Sequence, residues 1–121
     1  LLNKISINFS FFYICISSGK RQDVLIGSFD DLPEKWENKF NLIYSNSFDQ
    51  SEDPYKTAKE WIRIAKNNAI LIISFFEGEP TDSDPVGNLS IEDFIKLFPG
   101  EIIYFEKKGS NYNDLILQIK K

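Results

Sequence analysis

The chain has 121 residues, 42% apolar and 26% charged, the composition of an ordinary globular domain long enough to bury its own core. Its 14 basic and 18 acidic residues give a net charge of −4, which leaves no basic footprint for nucleic acid. With no histidine and Cys15 as the sole cysteine, an internal disulfide, a thiolate metal centre and a Ser-His-Asp or Cys-His hydrolase are all excluded.

The chain opens on Leu1–Leu2 and contains no methionine, which points to a piece of a longer protein. In Ile5–Ile16, Ile5, Ile7, Phe9 and Phe11 alternate with polar residues before the run turns continuously apolar, so one buried strand is expected. A secretory signal is a poorer reading, because Asn8 and Ser10 interrupt the run and the cleavage pattern is weak. A third reading is a segment outside the fold. At about a dozen residues the run is too short for a membrane span. Ser17–Arg21 breaks it, and Asp23–Gly27 forms a short strand. Phe29–Lys39 is polar around Leu32 and Trp36, with Pro33 able to start a short helical turn.

Phe40–Phe76 carries the strongest signal. An apolar run, Phe40–Tyr44, is followed by a polar turn, an amphipathic helix over Tyr55–Asn68 and a second apolar run, Ala69–Phe76. Two buried strands around one helix predict a right-handed βαβ crossover in a parallel sheet. Asp53 is placed as the helix N-cap with Pro54 at the first helical position, where its missing amide proton costs nothing. Tyr55, Ala58, Trp61, Ile62 and Ala65 form the predicted buried stripe, and Lys56, Lys59, Glu60, Arg63 and Lys66 the solvated one. Asn67–Asn68 suits the left-handed backbone that ends a helix.

Glu77–Asn88 is a loop rich in Pro, Gly and Asp. Its acids match no metal-ligand spacing. Ser90 and Asp93 resemble a capping box for a short helix carrying Ile91, Phe94, Ile95 and Phe98, stopped by Pro99–Gly100. Strands Glu101–Glu106 and Asp114–Lys120 then flank a turn of Gly109, Ser110, Asn111 and Asn113, a terminal hairpin. Lys107, Lys108, Lys120 and Lys121 read as solvated strand ends. The fold class expected is α/β: parallel strands with helices, closed by an antiparallel hairpin.

In order along the chain, Val24–Pro33 (VLIGSFDDLP), Phe40–Pro54 (FNLIYSNSFDQSEDP) and Glu60–Ile73 (EWIRIAKNNAILII) resemble the third strand and turn, the fourth strand and loop, and the helix and fifth strand of class I S-adenosylmethionine-dependent methyltransferases of the type 11 kind. The terminal hairpin resembles that family's antiparallel seventh strand, and the likeness covers residues 23–121 within one domain, 1–121. It implies a partial Rossmann-like sheet, S-adenosylmethionine as cofactor and an unspecified methyl acceptor. It also implies cofactor contacts at Ser28, Phe29 and Asp30 on the adenine side and at Ser45, Asn46 and Ser47 on the methionine side. Asp49 and Gln50 would stand on the substrate face, no catalytic residue is assigned, and no metal is implied. Asp49 and Glu52 are the acids available as a base, and both read more simply as solvated loop residues.

The sequence departs from the family pattern at Ser28 (an acid there), Asn41 (aspartate), Gln50 (histidine) and Asn67–Asn68–Ala69 (Pro-Gly-Gly). The Gly-rich loop and the acid of the second strand have no counterpart, since Gly19 is the sole glycine before Arg21 and no acid precedes Asp23. Leu1–Ser18 is too short for two strands and that loop. The expectation is therefore an amino-terminally truncated, cytoplasmic methyltransferase fragment. A second reading is a non-catalytic methyltransferase-like module that pairs with a partner or with a copy of itself through an exposed sheet edge. A third is the tail of a nucleotide-binding doubly wound domain, which would lack the antiparallel last strand.

Overall fold

The computed structural model describes residues 3–7, 10–15, 24–26, 28–76, 78–79, 82, 89–109 and 111–121, the first three stretches as backbone only. Seven strands form one sheet: β1 (Asn3–Ile7), β2 (Ser10–Cys15), β3 (Val24–Ile26), β4 (Phe40–Ser45), β5 (Ala65–Phe76), β6 (Gly100–Lys108) and β7 (Tyr112–Ile119). Two helices, α1 (Pro54–Ile64) and α2 (Ile91–Leu97), complete the described elements. The strand order is β3-β2-β1-β4-β5-β7-β6.

The predicted crossover is present. β4 and β5 pair in parallel around α1, with Ile43 opposite Leu71 and Ser45 opposite Ile73. β7 runs antiparallel to both β5 and β6, as the terminal hairpin requires.

The amino-terminal expectation needs correcting. Ile5–Ile16 is not one strand but parts of two, with β1 and β2 paired antiparallel from Asn3–Ile14 to Ile7–Ser10. β1 is also antiparallel to β4, placing Lys4 beside Tyr44 and Ser6 beside Leu42. An antiparallel pair needs only a tight turn, whereas a parallel pair needs a crossover of about a dozen residues or more, and the two residues between β1 and β2 allow only the former. These strands also fill the side of the sheet at which an exposed edge was expected.

Helix α1 begins as the sequence predicts. Asp53 caps it by accepting from the Lys56 amide at 3.1 Å, with Pro54 in the first turn. Its buried stripe is Thr57, Ala58, Trp61 and Ile64, continued by Ala65. Tyr55, in the first turn, leaves the stripe at 76% exposure. Ile62 is half-buried. The helix also stops four residues early, at Ile64 rather than Asn68. The next residues already belong to β5 and form a bulge, since Phe40 pairs with Ala65 and Leu42 with Ile70. Asn68 takes a left-handed φ of 68° inside that bulge instead of at a helix end.

Glu60 and Arg63 are half-buried rather than solvated. Arg63 Nε donates to Glu60 Oε1 at 2.6 Å, and its guanidinium also reaches the carbonyls of Leu32 at 3.1 Å and Pro33 at 3.3 Å. Glu60 accepts from the Leu32 amide at 2.6 Å. Together they hold the turn after β3 onto α1. That turn ends in a 3-10 turn, Glu34–Trp36, entered from Pro33 as expected.

The core lies on one face of β4, β5 and β7, beneath both helices. Phe48, Trp61, Phe94 and Phe98 are almost wholly enclosed there with Ile43, Leu71, Ile73 and Leu117. Phe48 meets Trp61 with ring centroids 5.3 Å apart, and Phe75 meets Phe94 at 4.4 Å. Both arms of the Ser90–Asp93 capping box on α2 form, so aspartate serves where glutamate is usual. Ile95, expected in the buried stripe, is 45% exposed. Gly100, with φ of 157°, opens β6 where a Cβ would lie 1.9 Å from the Gln118 carbonyl oxygen, so no side chain fits. The terminal lysines do more than solvate strand ends. Lys120 donates to Asn68 Oδ1 at 3.0 Å, and Lys121 to Asn38 Oδ1 at 2.6 Å and the Ala65 carbonyl at 3.0 Å.

Two outcomes follow. Burial raises the Glu60 pKa, but the hydrogen bonds from Arg63 and the Leu32 amide outweigh it, and the net shift is downward. A depressed carboxylate stabilises the fold above its unfolded pKa, and that contribution is lost as pH falls through the folded value. Glu60→Gln should therefore cost about 1–2 kcal/mol at neutral pH and flatten the stability profile below about pH 4.5, both read by urea unfolding across pH. A constant gap at every pH would assign the loss to packing. Asn68→Ala should cost about 1–2 kcal/mol and Asn68→Gly much less, since only the alanine strains the left-handed backbone. Equal losses in denaturant midpoint would transfer the effect to the Lys120 hydrogen bond.

Candidate functional site

β2, β3, β4 and β5 run in one direction, so the turns after β3 and β4 open at the carboxyl edge of the sheet, where open α/β sheets hold ligands. Trp61, in the middle of α1, donates from Nε1 to the Phe29 carbonyl at 2.8 Å and packs edge-on against the Phe29 ring at 6.0 Å. On its other side Trp61 packs on Phe48, in the 3-10 turn Phe48–Gln50 that follows β4. One tryptophan thus sets the spacing of the two turns.

Between them lies an open cleft of about 230 Å³ lined by Ser28, Phe29, Asp30, Gln50, Ser51 and Glu52. The structure therefore brings together three residues expected on the adenine side and one, Gln50, expected on the substrate face. Ser28 donates its hydroxyl to the Asp30 carboxylate, while the Asp30 amide reaches back to Ser28 Oγ at 3.5 Å. A carboxylate thus stands beside the Ser28 hydroxyl in the same turn. Lys56 lies 3.9 Å from Asp30 and leaves its side chain 22% exposed, open to the cleft. Phe29 is 8% exposed, and its ring serves the core more than the cleft surface.

The other predicted residues divide differently. Ser45 and Ser47 are fully buried and bonded locally: Ser45 Oγ accepts from the Ser47 amide at 3.0 Å, and Ser47 Oγ donates to Asn46 Oδ1 at 3.0 Å. They shape the end of β4, and of the three only Asn46 is exposed. Asp49, expected as a solvated acid, is 9% exposed and accepts from the Phe76 amide at 3.2 Å, tying the turn after β4 to the end of β5. Glu52 is exposed, as expected. Tyr112, opposite Phe76 at this same edge, has its pKa raised first by burial and then by the charge of Asp49.

Sequence reading passed over Ser51. Its hydroxyl is 2.7 Å from Thr57 Oγ1, both are buried, and it also accepts from the Asp53 amide at 3.2 Å. A serine two residues before a capping aspartate, with a threonine on the inner face of the first turn, is the signal that marks it. The Glu60–Arg63 clamp was also missed, and nothing in the helix pattern alone distinguishes it from a solvated pair. Of the loop Glu77–Asn88, only residues 78–79 and 82 are described. Among the described residues no group of His, Cys, Asp and Glu side chains is arranged to hold a metal ion, and no helix is long and apolar enough to cross a membrane.

The cleft is open to solvent. It is smaller than the roughly 300–1,000 Å³ of pockets that enclose a whole ligand. Its lining holds hydroxyl, carboxylate and amide groups. At the end of β4 the inward hydroxyls of Ser45 and Ser47 are taken up internally, and of the three residues Asn46 alone is exposed.

No protein-family model matches the chain, and no curated protein matches it either. Solved structures do. A protein from Pyrococcus horikoshii superposes with a TM-score of 0.64 at 14% identity, over 81% of this chain and 59% of its own. A protein provisionally assigned as a type 11 methyltransferase, from Sulfolobus solfataricus, gives 0.64 at 19% identity, over 89% of this chain and 69% of its own. A SAM-dependent methyltransferase from Aquifex aeolicus gives 0.60 at 20%, over 81% and 56%. The chain thus spans less than two thirds of the Pyrococcus and Aquifex chains. With its strand order, its parallel β4–α1–β5 unit and its antiparallel β7 between β5 and β6, the chain has a partial class I S-adenosylmethionine-dependent methyltransferase fold.

Proposed function

We propose that the chain forms the adenosyl-binding side of an S-adenosylmethionine-dependent methyltransferase. The observation that carries this reading is the convergence of Ser28, Asp30, Gln50 and Glu52 on one cleft at the carboxyl edge of a methyltransferase-type sheet. S-adenosylmethionine, when bound, supplies an electrophilic methyl group on a sulfonium.

The roles of this chain's residues follow from their geometry. Asp30, polarised by the Ser28 hydroxyl, accepts from the adenine amino group, a charge-assisted bond stronger than a neutral serine would give. Phe29 holds the turn on Trp61 through its carbonyl and ring. Asn46 is the polar group at the methionine side. Asp49 positions the turn after β4 through the Phe76 amide, so that Gln50 and Glu52 face the ligand. Transfer of a methyl group needs positioning and exclusion of water more than a strong base, which suits a chain without histidine. The acceptor is met at the open carboxyl edge beside Gln50.

Titrating S-adenosylhomocysteine into the 121-residue chain by calorimetry tests this. Saturable binding is expected, with Asp30→Asn weakening it by about tenfold or more, the effect of losing one charge-assisted hydrogen bond. Adenosine alone should compete, since the cleft takes the nucleoside end. No binding at millimolar ligand, or binding indifferent to Asp30→Asn, would overturn the assignment.

A further inference from the structure

β6 is the edge strand of the sheet, and all nine of its residues are exposed. Among the described residues nothing pairs with its outer edge. Ile102, Ile103, Tyr104 and Phe105 stand in the middle, between 37% and 55% exposed. An edge with an apolar centre and no proline is a template for another strand, and the flanking Glu101, Glu106, Lys107 and Lys108 with the bulge at Ile103 restrict what it can pair with.

The residues of β6 sort onto two faces through their partners on β7. Ile102, Phe105 and Lys107 lie opposite Leu117, Leu115 and Asn113, on the core side of the sheet. Glu101, Tyr104, Glu106 and Lys108 lie opposite Gln118, Ile116, Asp114 and Tyr112, on the other. Ile103 is the extra residue of a bulge. A closed pair of identical edges must be antiparallel about a two-fold axis, and facing residues must share a face. An axis at Tyr104 brings Glu106 against Glu101 of the second copy, and an axis at Glu106 brings two Glu106 together. An axis at Phe105 puts Phe105 on Phe105, Tyr104 on Glu106 and, across the bulge, Glu101 on Lys108, twice by symmetry.

We infer that β6 is a docking edge for a second copy of this chain, paired antiparallel about Phe105 and held in register by two Glu101–Lys108 contacts. Lys108 already pairs with Asp114 of the neighbouring β7 at 2.6 Å within its own chain, so Glu101 of the second copy would share it with that carboxylate. Opposite charges across an antiparallel pair favour the register, and like charges oppose it.

The test is sedimentation equilibrium of the 121-residue chain from about 10 μM to 1 mM. A monomer–dimer equilibrium is expected, weakened on the order of tenfold by Glu101→Lys or by Lys108→Glu. Each variant alone places like charges together, but an equimolar mixture of the two restores both opposite-charge contacts, so dimer should reappear as the mixed species. Glu101→Gln, which keeps the size of the side chain, should fall between wild type and Glu101→Lys. Amide exchange in β6 should slow as wild-type concentration rises, which gives a readout independent of the Lys108 variant's folding. A wild-type monomer at every concentration, or a dimer that neither variant weakens and whose β6 amides gain no protection, would overturn the inference.

Discussion

The position of Trp61 is the constraint on which the rest of the site depends. Its indole reaches the Phe29 carbonyl on one side and stacks edge-on against Phe48 on the other. Phe29 precedes Asp30, and Phe48 precedes Asp49 and Gln50. The two lips of the cleft are therefore hung from one side chain on the middle of α1, and the cleft width is set by core packing. Phe98, at the end of α2, closes the group 6.4 Å from Trp61 and 5.7 Å from Phe48. Rings buried this completely resist displacement, since protein interiors are packed to crystal-like density.

The polar groups around the cleft obey the same logic. Glu60 and Arg63 leave α1 one turn apart, the spacing at which helical side chains meet, and together bond the Leu32 amide and the Leu32 and Pro33 carbonyls. That satisfies backbone groups of a turn that packs against a helix and lacks a ladder of its own. Ser51 and Thr57 do the same inside the second lip. Asp49 fastens that lip to β5. These bonds leave Asp30, Gln50 and Glu52 as the groups the cleft presents to a ligand.

Much of this was legible from the sequence because it is local. The Asp53–Pro54 start, the Ser90–Asp93 capping box, the apolar runs of β4 and β5 and the terminal hairpin each follow from residues a few positions apart. What escaped is set by distant partners. Glu60 and Arg63 look like any solvated pair until a turn 28 residues earlier in the chain arrives on them. Ser45 and Ser47 look like polar ligands, yet burial turns their hydroxyls onto their own turn. Helix α1 ended early because β4 claims Ala65 and Ile70 as partners, and the intervening residues could only bulge. Ile5–Ile16 hid a reversal, because Asn8–Phe9 carries no glycine or proline to mark a turn. At the site, the sequence placed Ser28 and Asp30 in one turn, but gave no sign that Asp49 is a buried tie.

The reversal of β1 bears directly on the cofactor. Because β1 is antiparallel to β4, Lys4 lies at the carboxyl edge beside Tyr44, and β1 ends at the opposite edge, where β2 begins. In a fully parallel arrangement the loop after the first strand would emerge at the carboxyl edge, where backbone amides can approach an anionic group closely. Here that position is occupied by the start of a strand. On the proposed reading, the carboxyl edge keeps an adenosyl side, built from the turns after β3 and β4, while an amino-acid side would rest on Asn46. Binding by this chain should thus depend on the nucleoside moiety far more than on the carboxylate. That is why adenosine is the informative competitor, and why Asp30, rather than any group at the end of β4, is the residue whose charge decides the outcome.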